Sequence, residues 1–391
     1  MMKTANDNSY QSMKNDKLDA KTEGATRRLQ ELLQQLVAPK HIHHAVVAIE
    51  KLDNSFRWVG AAGNAHPDGT PMTEDTPIWI ASVTKLYIAS ALYKLYERNL
   101  IGLDQPMSAY LPQSLIGGLH RLNGVDYTEQ ITIQHLLGHL SGLPDYLEDR
   151  AKGESSLLER LMERDALFTL EDGLELVRHK LTPHFPPQPL TAQRKKIRYS
   201  DTNYQLLIAI IEAVTGQPIH QAFKELFYEP LQLRHTFHPG SLDDPEPQAA
   251  ATWLEQRPLD FPLAMRSAGD LISTVDDMLA FMRCLVQGDL FDQPATLAHM
   301  MGNWNSFGFH LNPTQPGWPI QYGQGMMRFY MPRFFSPFRA MPGLIGHTGF
   351  CGSWLFYSPE LNALTAGTVN QATAAAVPFR SVPKFLQVLA D

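Results

Sequence analysis

The chain has 391 residues, long enough to bury a large core and to divide into two lobes. Hydrophobic residues make up 44% and charged residues 19%, which excludes the disordered and fibrous classes. A formal net charge of −7 argues against nucleic acid as the main partner, and the run Arg194-Lys195-Lys196-Ile197-Arg198 reads as a solvated loop.

From Met1 to about Gly24 the sequence is rich in Asn, Asp, Lys and Ser, so residues 1–25 are expected to form a disordered tail. This stretch has no apolar leader core, and nowhere do about 18 consecutive apolar residues occur, so no transmembrane segment is predicted. The expected location is cytoplasmic, or periplasmic or secreted if a leader has been removed. Order is predicted to begin near Thr26, where Leu29, Leu32, Leu33 and Leu36 fall at helical spacing. His44–Glu50 and Phe56–Ala62 read as two strands joined through Asp53-Asn54. His41, His43 and His44 have no acidic or cysteine neighbour to complete a metal site and are expected as solvated loop residues.

Trp79–Leu92 is an apolar, helix-prone run interrupted by Ser82-Val83-Thr84-Lys85. Gly102, Asp104 and Pro106 then break the pattern. Ile131–Leu140 predicts a helix capped by Thr132 and stopped by Ser141-Gly142-Leu143-Pro144. Its His135 and His139 have the i, i+4 spacing of zinc ligands, but the glutamate of a His-Glu-x-x-His site is missing, so packing and turn hydrogen bonds are expected instead. Leu157–Lys180 predicts one or two helices, Thr182–Pro189 a proline-rich loop, and Asn203–Val214 a further apolar helix ending at Thr215-Gly216. Gln221–Phe227 and Thr274–Leu285 follow as helices, the second capped by Thr274.

The C-terminal part alternates strand-like runs with turns: Gln321–Tyr330, Gly343–Thr348, Ser353–Ser358 and Leu361–Val369, then a closing helix within Val382–Leu389. The aromatic-rich segment from Phe329 to Phe338 is expected as partly buried loop packing, with a lid over a pocket as the alternative. Cys284 and Cys351 are far apart and make no metal-ligand spacing; two free thiols are expected, with a single disulfide as the alternative. The order predicts an α/β (α+β) fold in which residues 26–84 and 262–391 form one lobe around a mainly helical region, 85–261.

Three motifs carry chemistry. Residues three apart on a helix share a face, so Lys85 can point at the Ser82 hydroxyl, which needs a neighbouring base to act as a nucleophile. Tyr199-Ser200-Asp201 stands just before a helix; a nearby cation such as Lys85 would lower the Tyr199 pKa and let the phenol relay a proton. Gly346-His347-Thr348-Gly349-Phe350 is a glycine-flanked strand along which a substrate backbone can lie.

Together these residues resemble the penicillin-recognising serine hydrolases: class C β-lactamases, D-Ala-D-Ala carboxypeptidases, D-aminopeptidases and family VIII esterases. Ser82-Val83-Thr84-Lys85 matches that family's Ser-x-x-Lys element, and His347-Thr348-Gly349 its Lys/His-Thr/Ser-Gly element. Tyr199-Ser200-Asp201 matches Tyr-x-Asn with one departure. Ile131–Tyr146 and Ser267–Thr274 look like supporting segments of the family. The resemblance implies a β-lactamase/transpeptidase-like fold, an antiparallel sheet flanked by helices plus a helical domain. It also implies an acyl-enzyme on Ser82, with Lys85 and Tyr199 sharing proton transfer. The backbone N–H groups of Ser82 and Phe350 would hold the oxyanion, while Asp201, His347, Thr348 and Gly349 would contact substrate. It implies no metal or cofactor. The expected partner is a small ester or a D-amino-acid peptide; class C-like β-lactamase action and a non-catalytic peptide-binding role are the alternatives, and the oligomeric state stays open.

Two departures shift that expectation. Asp201 stands where β-lactam-processing members carry Asn, so it can only accept hydrogen bonds when ionised and would hold Lys85 as an ammonium. Tyr199 then becomes the expected proton acceptor, and acylamide-bearing substrates are expected to bind less well. His347 replaces a permanent cation, which moves weight from β-lactamase towards peptidase or esterase.

Overall fold

Ala45 to Ile49 is apolar at every position, the pattern of a strand covered on both faces. The structure, a computed structural model, describes residues 22–242, 247–308, 316–332, 341–372 and 374–390. In it this run lies within β1 (His44–Lys51), paired antiparallel with β2 (Arg57–Gly63). Six further strands complete the sheet: β3 (Asn305–Ser306), β4 (Ile320–Tyr322), β5 (Met327–Phe329), β6 (Leu344–Thr348), β7 (Trp354–Ser358) and β8 (Ala363–Thr368). The order across the sheet is β2-β1-β8-β7-β6-β5-β4-β3, with every neighbouring pair antiparallel. Chain-terminal and C-terminal strands therefore meet at β1 and β8.

Strand alternation divides β1 between two cores. Val46 and Ala48 face the interior shared with the helices, while Ala45, Val47 and Ile49 face a second cluster. Helix α1 (residues 22–37) supplies Leu29 and Leu33 to that second cluster. The opposite side is covered by a layer containing α2 (Thr84–Glu97), α3 (Asp201–Thr215) and α4 (Val275–Gln287). The closing helix α5 (Val377–Gln387) joins α1 on the outer face through Val382, Phe385 and Leu386. α2 is buried from Thr84 to Tyr93, so it is apolar nearly all round rather than amphipathic. No single described helix is long and apolar enough to cross a membrane.

Several expectations change in detail. α1 begins at residue 22, so its first turn lies within the stretch expected as a tail, while residues 1–21 lie outside the described residues. Regular helix between Ile131 and Leu140 is confined to Ile133–Leu137, because His139 takes a φ of 55°. Gln321–Tyr330 is a hairpin rather than one strand, turning at Gly325, where φ is 87° and an added Cβ would lie 2.1 Å from the Ala89 Cβ of α2. α5 starts at Val377, since Pro378 is tolerated in a first helical turn.

His44 is buried, not solvated: its Nδ1 meets the Asn64 carbonyl at 2.8 Å, and burial lowers its pKa to about 4. Arg198 is likewise drawn out of solvent by an ion pair with Asp149 at 2.5 Å. Phe334, Phe335 and Phe338 lie outside the described residues; Phe329 is buried and Tyr330 is exposed. Cys284 and Cys351 are both free thiols.

Candidate active site

The turn that carries Ser82 begins with strain. Ala81 holds a φ of 47°, a conformation that costs a non-glycine residue on the order of 1 kcal/mol or more. The short helical turn Ala81–Val83 then feeds directly into α2, with Ser82 in it and Lys85 one turn on. Lys85 Nζ donates to Ser82 Oγ at 2.9 Å and to Asp201 Oδ1 at 2.5 Å. Asp201 is the first residue of α3, and its own N–H donates to Asp145 Oδ2 at 3.2 Å. Burial alone would disfavour the ammonium, but the charges of Asp201, Tyr199 and Asp270 outweigh it and hold the Lys85 pKa well above its ordinary value.

Tyr199 is placed by the residues behind it. Its ring lies 4.4 Å from that of His139, whose Nδ1 accepts from the Ser200 N–H at 3.2 Å and from Asn203 Nδ2 at 3.0 Å. Burial, reinforced by Lys85 and His347, lowers the His139 pKa and keeps the ring neutral. His139 is therefore a packing and turn residue. The Tyr199 hydroxyl faces Ser82 and Lys85, yet its pKa is raised: burial outweighs the nearby ammonium, and Asp201 adds to the rise. The expected lowering by Lys85 is thus reversed, because desolvation of a phenolate costs more than one cation returns.

The third wall is the end of β6 and the turn after it. Ser353 Oγ donates to the Ile80 carbonyl at 2.8 Å, and Cys351 Sγ contacts the Trp79 carbonyl at 3.4 Å, which pins the turn onto the segment leading into Ser82. The contact is close enough to require glycine at 349. A Cβ there would lie 2.2 Å from Ser353 Oγ, 2.7 Å from the Ile80 carbonyl oxygen and 2.9 Å from the Ala81 Cβ. Among the described residues the Phe350 N–H has no protein acceptor, so it remains available beside Ser82.

Strand alternation separates Thr348 from His347. Thr348 lines the cavity, whereas the His347 side chain does not. His347 is fully buried, with Nδ1 at 2.7 Å from the Thr348 carbonyl and Nε2 at 3.1 Å from the Tyr322 hydroxyl. Burial, reinforced by Lys85, lowers its pKa to about 3. Of the expected contacts with a substrate's carboxylate or backbone, the His347 side chain supplies no charge: it is a neutral ring in the layer behind the cavity, and Thr348 is the residue of the pair that lines it.

The cavity itself measures about 810 Å³ and is lined by Ser82, Lys85, Tyr199, Asp201, Thr348, Gly349 and Phe350. Apolar groups such as Leu147, Leu161, Phe168, Phe261 and Met265 form much of the remainder. Among the described residues only two cations line it, and both are paired, Lys85 with Asp201 and Arg150 with Glu159.

Sequence reasoning missed three acidic or phenolic groups here. Asp145 is buried beneath Asp201, and burial together with Asp201 raises its pKa. Tyr146 lines the cavity and is held neutral by burial. Asp270 also lines it; burial, partly offset by Lys85, raises its pKa to about 7. Asp270 lies within the recognised segment Ser267–Thr274, but no spacing rule aims that residue at Ser82.

The sequence matches the Beta-lactamase family over residues 29–381. It is 31% identical to esterase EstB of Burkholderia gladioli over 214 residues, 53% of this chain and 50% of that protein, so the match spans half of the esterase. The D-alanyl-D-alanine-carboxypeptidase/endopeptidase AmpH of Escherichia coli strain K12 is 23% identical over 321 residues, 80% of this chain and 74% of that protein. Among solved structures, a D-stereospecific amidohydrolase from Streptomyces sp. superposes with a TM-score of 0.68 at 26% identity, covering 91% of this chain and 97% of that one.

Proposed function

The chain belongs to the β-lactamase family of serine hydrolases, and from that premise we propose that it hydrolyses small esters or D-amino-acid amides and peptides whose reacting end carries no carboxylate. The observation that carries this reading is the paired state of both cations lining the cavity. A substrate carboxylate would enter a site holding Asp201 and Asp270 with no spare cation to receive it, at a cost of desolvation that nothing returns. An apolar acyl or aryl group instead meets the apolar walls.

Ser82 is the nucleophile in this reading. As Oγ bonds to the substrate carbonyl carbon, its proton passes to Lys85 Nζ while an ammonium proton passes to Asp201, the two groups Lys85 already bridges. Tyr199, kept as a neutral phenol, donates its proton to the leaving group and takes the proton held on Asp201 back through Lys85, so that all three groups regain their starting states. The N–H groups of Ser82 and Phe350 receive the developing oxyanion; each such preorganised donor is worth about 3 kcal/mol of transition-state stabilisation.

A fluorophosphonate probe should label the parent protein and not Ser82→Ala. Hydrolysis rates should rank p-nitrophenyl butyrate and D-alanyl-p-nitroanilide above an N-acyl-D-Ala-D-Ala peptide and nitrocefin. Absence of Ser82-dependent labelling would instead mark a binding module. A preference for the carboxylate-bearing pair would sink the substrate reading while leaving the nucleophile intact.

A further inference from the structure

Asp270 is the acidic group of the cavity that the mechanism above does not use. Its backbone is locked to the nucleophile turn from both sides: the Leu271 N–H donates to Thr84 Oγ1 at 2.9 Å, and the Leu271 carbonyl accepts from the Ile80 N–H at 3.0 Å. Residues 80 and 84 bracket Ser82, so the preceding residue, Asp270, is carried to the same cavity. The pairing of Ile78–Trp79 with Ile272–Ser273 extends that lock. Asp201 is committed to Lys85, whereas among the described residues Asp270 makes no ion pair. The indole N–H of Trp79 is directed towards it without completing a hydrogen bond.

Acylation can run through Lys85 and Asp201, but hydrolysis of the resulting ester needs a base free to take a proton from water. In the acyl-enzyme Tyr199 is again a neutral phenol that burial keeps from ionising, and the Lys85–Asp201 relay is aimed at Ser82 Oγ, the leaving atom it must protonate, rather than at the incoming water. We propose that Asp270 is the general base that activates the water hydrolysing the Ser82 acyl-enzyme, a step that rests on the acyl-enzyme reading above. The water oxygen bonds to the acyl carbonyl carbon as one of its protons passes to the Asp270 carboxylate. The tetrahedral oxyanion then collapses and the bond from carbon to Ser82 Oγ breaks. Oγ takes a proton from the Lys85 ammonium, and the proton held on Asp270 returns to Lys85 through the cavity. The carboxylic acid product departs with the second water proton, and all three side chains regain their starting states.

Burial holds the Asp270 carboxyl at about 7, with Lys85 pulling it down and Asp201 pushing it up. A base is most effective when its pKa lies near the working pH. Of the other titratable groups that face it, Tyr146 and Cys351 are kept neutral by burial, the thiol pushed up to about 11. The charges around Asp270 are therefore those of Lys85 and Asp201.

The test loads parent and Asp270→Asn with p-nitrophenyl butyrate, desalts the acyl-enzyme, and follows loss of the adduct by intact mass across pH 5–9. The parental rate of loss should rise through about pH 7 and then level. In Asp270→Asn it should fall by about 100-fold or more relative to the acylation rate, and the rise should vanish. An Asp270→Asn adduct lost at the parental rate, or with the rise intact, overturns the proposal. If that variant does not acylate, Asp270→Glu keeps the carboxylate and should displace the rise along the pH axis; an unmoved rise overturns it equally. Failure of the parent to form any Ser82 adduct strikes the acyl-enzyme reading as well, so the two failures remain distinguishable.

Discussion

Two walls of one cavity handle charge in opposite ways. The wall built from α2 and α3 brings Lys85 and Asp201 to 2.5 Å and neutralises both. The wall built from the Ile78–Trp79 and Ile272–Ser273 pair presents Asp270 with no ion-pair partner among the described residues. A buried pair costs little extra once formed, but it is also chemically committed. An unpaired, partly buried carboxyl destabilises the fold in its ionised form and stays free to exchange a proton. The difference teaches that the rigid half of the site and the titrating half are built on different elements.

The largest effect should come from breaking the paired wall. Lys85→Ala leaves the partly buried Asp201 carboxylate, 17% exposed, without its partner, and should lower stability by about 2 kcal/mol in urea unfolding. The same variant should cut ester turnover by about 10³-fold, because the Ser82 proton loses its relay. A Lys85→Ala protein as stable as the parent would mean that the pair is not the anchor of this wall.

A smaller effect should follow from wedging the walls apart. Gly349→Ala places a Cβ against Ser353 Oγ, the Ile80 carbonyl and Ala81. The turn that carries the Phe350 N–H must shift, so kcat should fall about 100-fold, with a loss of about 1–3 kcal/mol of stability from the overpacked turn. Parental kcat in Gly349→Ala would remove Phe350 from the oxyanion site.

The smallest effect has the opposite sign. The folded-state pKa of Asp270 is raised to about 7, above the ordinary carboxyl value, so the fold binds this proton more tightly than the unfolded chain does. The contribution of this group to stability therefore declines as pH rises from about 4 through 7, and its cost is fully present above that range. Asp270→Asn should be more stable than the parent at pH 8, with the gap closing towards pH 4. A constant gap across that range would show that Asp270 is not the group being titrated.

Much of this site is legible in local sequence. Ser82 and Lys85 lie one helical turn apart, and Asp201 opens its helix directly after Tyr199. The sheet strands from Leu344 to Thr368 follow their alternating and turn-bounded runs. Other features are not legible because they depend on burial. The Tyr199 pKa moves opposite to the direction its neighbour suggests, and His347 turns away from the cavity that its motif borders. Motif spacing places a residue on an element, but it does not say how dry the surroundings are.

Asp270 and His139 make that point most directly. The local sequence gives His139 a packing and turn role but not its partners, and gives Asp270 none; both are placed by contacts over 61 residues or more: Ser200 on His139, and Thr84 and Ile80 on Leu271. The sequence by itself determined the juxtaposition of Ser82 with Lys85 and the run of antiparallel strands, because periodicity and i, i+3 spacing are local. Only the tertiary structure decided which charges are paired, which rings are neutral and which carboxyl is left to titrate. Desolvation and Coulomb interaction depend on every element packed around a group, and those elements come from distant parts of the chain.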